Sequence, residues 1–126
     1  ILHFKLDADL VVLSACNTGG PGAEKEIRGE NLSGLARAFF FAGARSLLAS
    51  HWSLSDKETA GLMIDMFKGL YNQNDPKGLS IALNLAQREL MKDGSTSHPF
   101  YWAGLSLVGD GARIVSQQGS QSKSNP

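Results

Sequence analysis

Cys16 is the only cysteine in a chain of 126 residues, and it follows the apolar run Leu10-Val11-Val12-Leu13 and precedes Asn17-Thr18-Gly19-Gly20. A single thiol is either a small packing group or a nucleophile. As a nucleophile it needs a base or a positive neighbour to be thiolate near neutral pH. The backbone amides after it, Asn17 and Gly19 among them, would then turn toward a developing oxyanion. The histidines stand at 3, 51 and 98, a spacing that suits no metal site, and the chain predicts no metal and no organic cofactor. His51 is the in-chain candidate for a base, although a histidine beside Trp52 at the end of a strand is equally a packing group. His3 reads as a surface residue and His98 as part of the turn before Pro99. Asp56 reads first as negative charge placed at a helix start.

These residues require elements to hold them. Asp9 to Ser14 reads as a short strand buried on both faces. The glycines at 19, 20, 22 and 29, with Pro21, make the next stretch a loop. Leu32, Leu35, Ala36, Phe39 and Phe40 share one face of a helix that stops at Gly43. Ser46 to Ser50 is a second strand. Ser55-Asp56-Lys57-Glu58 matches a capping box opening a helix through Leu62, Met63, Met66, Phe67 and Leu70. Ile81, Leu83, Leu85, Ala86 and Leu90 mark another helix, and Tyr101 to Val108 a third strand. Strands alternating with helices predict an α/β fold with a mainly parallel sheet. On a parallel sheet chemistry gathers beyond the strand carboxyl ends, where Cys16, His51, Trp52 and Asp110 all fall. The first strand lacks an earlier partner, so the chain reads as part of a larger domain: residues 1–115 hold the folded portion and 116–126 a disordered tail.

Composition narrows the function classes. Lysine plus arginine equals aspartate plus glutamate at 12 each, so no net field favours nucleic acid or an anionic membrane. No apolar run approaches the length of a transmembrane helix, and residues 1–5 do not resemble a signal peptide. With one cysteine, the expected setting is the reducing cytoplasm. The glycine-rich loop invites a nucleotide reading, but the next glycine of a dinucleotide fingerprint would fall at Lys25, and no phosphate-loop signature occurs.

Four stretches occur in order: "VVLSACNTG" at 11–19, "GENLSGLARAFFFAGARSLLASHW" at 29–52, "WSLSDKETAGLM" at 52–63 and "HPFYWAGLSLVGD" at 98–110. Together they resemble the C-terminal half of CHAT domains, caspase-like cysteine peptidase domains found mostly in bacteria and related to separases, often joined to tetratricopeptide repeats. The resemblance spans about Ala8 to Asp110. It implies a caspase-haemoglobinase-like three-layer sandwich, of which this chain would hold the later strands. It makes Cys16 the nucleophile of a cysteine endopeptidase acting on protein or peptide substrates through a thioester acyl-enzyme. It matches Asp56 to an aspartate that, in separases, helps form the pocket for the residue before the cut, with Trp52 as a lining candidate. A carboxylate there suits a basic side chain.

The family's histidine lies in a threonine-histidine-glycine-type motif upstream of the cysteine, and nothing in this sequence matches it. His51 stands where the family usually has an apolar residue. The resemblance therefore implies an incomplete dyad, inactive alone and completed by the histidine-bearing N-terminal half of the domain. The rival function is a non-catalytic interaction scaffold on the same fold.

Overall fold

The computed structural model describes residues 4–13, 29–112 and 114. In chain order the elements are β1 (Val11–Leu13), α1 (Gly29–Phe41), β2 (Ser46–Ser50), α2 (Asp56–Leu70), α3 (Leu79–Lys92), the single-turn α4 (Pro99–Trp102) and β3 (Leu105–Gly109). The strands form one sheet in the order β1-β2-β3. β2 is parallel to β1, with Leu13 opposite Ala49, and antiparallel to β3, with Ser50 opposite Leu105. The fold is thus a mixed α/β arrangement around three strands.

The central strand explains why the sheet holds. Every residue of β2 is buried, and Leu47 and Leu48 are fully so. Alternation along a strand sends Leu48 to one face and Leu47 and Ala49 to the other. On the Leu48 face, Leu62, Met66 and Leu70 of α2, with Leu79, Ala82, Leu83 and Ala86 of α3, join Leu105 in one core cluster. Their three- and four-residue spacing gives each helix one apolar face. Helix α1 touches β2 but contributes no residue to that cluster. Gly43 ends α1 with φ +106°, a left-handed conformation that glycine alone adopts without penalty. The chain before β1 continues the parallel pairing: Arg45 N–H donates to the Ala8 carbonyl, and the Arg45 guanidinium pairs with Asp7 and Asp9.

Three expectations need correction. The third strand begins at Leu105, not Tyr101, because Pro99–Trp102 form a helical turn. His98 caps that turn by accepting a hydrogen bond on Nδ1 from the Phe100 amide, and Pro99 occupies a first-turn position, where its missing N–H costs nothing. Second, β3 runs antiparallel to its neighbour, so Asp110 lies at the opposite end of the sheet from His51 and donates its amide to the Arg45 carbonyl. Third, the capping box closes differently: the Ser55 hydroxyl donates to the Glu58 carboxylate and makes no side-chain bond to the helix backbone.

Candidate functional site

The parallel pairing of β1 and β2 fixes a rim. Because Leu13 lies opposite Ala49, the chain leaving β1 toward Cys16 and the chain leaving β2 toward His51 and Trp52 exit at the same edge of the sheet. Cys16, Asn17 and Gly19 themselves lie outside the described residues, as does His3. Trp52 and Asp56 lie within them, on the loop that carries the chain from β2 into α2.

Trp52 is anchored rather than loose. Its indole Nε1 donates to the Phe100 carbonyl at 3.0 Å. Its ring lies so close over Gly104 that a Cβ there would sit 2.8 Å from Cε2. The residue is nonetheless 36% exposed. Asp56 opens α2, where its charge faces the positive end of the helix dipole. It is exposed and forms no ion pair with any described residue, so its carboxylate is available to a cation from outside. Glu58, two residues on, is held below the usual carboxylate range, chiefly by the Ser55 hydroxyl and then by its own backbone amide. The start of α2 is therefore firmly acidic.

His51 belongs to the same rim. Its amide donates to the Gly104 carbonyl at 2.8 Å, and its Nε2 lies 2.6 Å from the Ser106 hydroxyl. That pair is the diagonal, same-face neighbour relation of an antiparallel ladder, since Ser106 stands opposite Ala49. Ser106 escapes a reading of the sequence because nothing there shows which face of which strand it shares.

Gln87 is the other residue missed. Its Nε2 donates to the Trp102 carbonyl at 2.9 Å and to the Leu105 carbonyl at 3.2 Å, bracketing the turn from α4 into β3. A signal was present: Gln87 falls four residues after Leu83 and three before Leu90, on the core side of α3, where an uncharged polar side chain needs partners. A hollow of about 580 Å³ lined by Met63, Ile64, Phe67, Lys68 and Tyr71 lies along the later part of α2 and includes none of the rim residues. Among the described residues no cluster of three or more potential metal ligands occurs. Nor is any helix among them long and apolar enough to cross a membrane.

Tetratricopeptide repeat protein 28 of Mus musculus is 29% identical over 118 residues, covering 92% of this chain and 4% of the mouse protein. Its Homo sapiens counterpart is 28% identical over 118 residues, with the same coverage of 92% and 4%. The chain thus spans a small part of the curated relatives it matches, and those relatives are mammalian. No solved structure matches. Residues 1–110 match the model of the CHAT domain, and the chain belongs to that family.

Proposed function

We propose that this CHAT-domain chain is the cysteine-bearing part of a caspase-like endopeptidase that cuts peptide bonds in protein substrates. The observation that supports the reading is the parallel register of β1 and β2, which brings the carboxyl end of β1, three residues before Cys16 in the sequence, to the sheet edge where the loop with Trp52 begins. In this reading the Cys16 thiolate attacks the scissile carbonyl carbon. The tetrahedral intermediate's oxyanion accepts hydrogen bonds from backbone amides at Asn17 and Gly19. Collapse expels the amine, which takes a proton from the catalytic histidine, and leaves a thioester that water then hydrolyses. That histidine comes from the earlier half of the same caspase-like sandwich, and the assembled enzyme works in the cytoplasm beside tetratricopeptide repeats. Asp56 receives a basic side chain from the residue before the cut, with the partly exposed Trp52 as one wall.

Two facts of the rim support this division of labour. Asp56 is exposed and forms no ion pair with any described residue, which suits a carboxylate that takes a substrate cation. Trp52 is fixed through Nε1 and is still partly exposed, as a rigid pocket wall would be. The test is to join the chain to its histidine-bearing half and assay peptides ending in arginine, norleucine or aspartate, with wild type and Cys16→Ala in parallel. Cleavage after arginine that vanishes in Cys16→Ala is expected. Cleavage that survives the substitution would remove Cys16 from the mechanism.

A further inference from the structure

One short segment anchors Trp52. The Phe100 carbonyl accepts its indole N–H, and Gly104 lies under its ring. Gly104 also supports Leu54, the midpoint of the loop to Asp56, and its carbonyl accepts the His51 amide. Helix α4 has no buried residue of its own, while its turn into β3 ends on buried Gly104 and Leu105, the latter part of the core cluster. The Gln87 side chain ties that turn to α3. The two acceptors around its amide are both carbonyl oxygens, so the amino end must face them, and its two N–H groups form a fork across residues 102–105.

We propose that Gln87 is a positioning residue for the candidate pocket. Its carboxamide fixes the α4–β3 turn, the turn fixes Trp52 and Leu54, and they set the path of the loop that presents Asp56. The inference rests on the reading of Asp56 and Trp52 as a substrate pocket, but its physical core, the hold on Trp52, is measurable without catalysis. Gln87→Glu is the informative change, because it keeps the shape and sets carboxylate oxygens against two carbonyl oxygens. Gln87→Met removes the donors at nearly constant volume, and exposed Arg88→Gln serves as a neighbouring control.

The first measurement is indole N–H exchange in the tryptophan-labelled chain, which has two tryptophans. Loss of a hydrogen-bonded clamp predicts about tenfold faster exchange at Trp52 in both Gln87 variants, with the Leu48 amide unchanged and Arg88→Gln like wild type. The second is cleavage by the joined domain of an arginine-ending peptide and its norleucine counterpart. A several-fold rise in KM for the arginine peptide is expected, with kcat and the norleucine peptide little affected, a split that general loss of fold would not produce. Trp52 protection unchanged in Gln87→Glu and Gln87→Met would overturn the proposal. So would faster Trp52 exchange with both peptides cleaved as by wild type. If wild type cleaves neither peptide, the peptidase reading fails, and the exchange result then reduces Gln87 to a clamp of the fold.

Discussion

At the scale of single residues, the start of α2 combines two roles that the sequence presents as alternatives. Ser55 precedes the helix in extended conformation, yet its hydroxyl donates to the Glu58 carboxylate instead of accepting from an amide. The bond favours the ionised carboxyl and lowers its pKa. A carboxyl depressed in the folded state adds stability that is complete above its unfolded value and disappears as pH falls through its folded value. Ser55→Ala is therefore expected to raise the Glu58 pKa toward the ordinary glutamate range and to narrow the acid side of the stability profile. Side-chain carboxyl NMR titration of both proteins checks this, and an unmoved Glu58 would show that the hydroxyl is not the cause. Asp56, two residues before it, forms no ion pair with any described residue, and that contrast is why the proposed function assigns the binding role to Asp56.

At the scale of elements, one glycine shows how closely the rim is packed. A Cβ at Gly104 would run into Leu54 Cδ2 and come within 2.8 Å of the Trp52 ring. Gly104→Ala should cost about 1–3 kcal/mol by overpacking, read from denaturant unfolding, whereas Gly61→Ala, which meets nothing within 4 Å on an exposed helix face, should not destabilise. Equal effects from the two would contradict the packing account. The helices were legible in the sequence because Leu62, Met66 and Leu70, or Leu83, Ala86 and Leu90, recur on one face, although Ile81 and Leu85, expected with the second set, are exposed. The start of β3 was not, since Phe100-Tyr101-Trp102 has strong strand propensity while the local capping by His98 and Pro99 decides for a helical turn. The direction of β3 follows from counting. One long helix between β1 and β2 returns the chain to the starting end and gives a parallel pair. Between β2 and β3 the two long packed helices α2 and α3, followed by the single turn α4, bring it back to the rim it left, so β3 runs the other way.

At the scale of the whole molecule, the sheet brings two sequence-distant segments to one edge and leaves β1 paired on one side only among the described residues. Phe4, Val12 and Phe41 are exposed, at 66%, 42% and 91%. The family was readable because four separated motifs keep their order. The clamp that supports the rim was not, because Gln87 acquires meaning only when α3 is laid beside a turn reached 15 residues later. The central claim is the reactivity of Cys16, and the most direct measurement is intact-mass and peptide mapping of the joined domain after treatment with an arginine-bearing peptidyl acyloxymethyl ketone. One adduct, mapped to Cys16, lost in Cys16→Ala and weakened about tenfold or more in Asp56→Asn, is the predicted result. Absence of labelling at Cys16, or equal labelling by a probe carrying aspartate, would contradict the account.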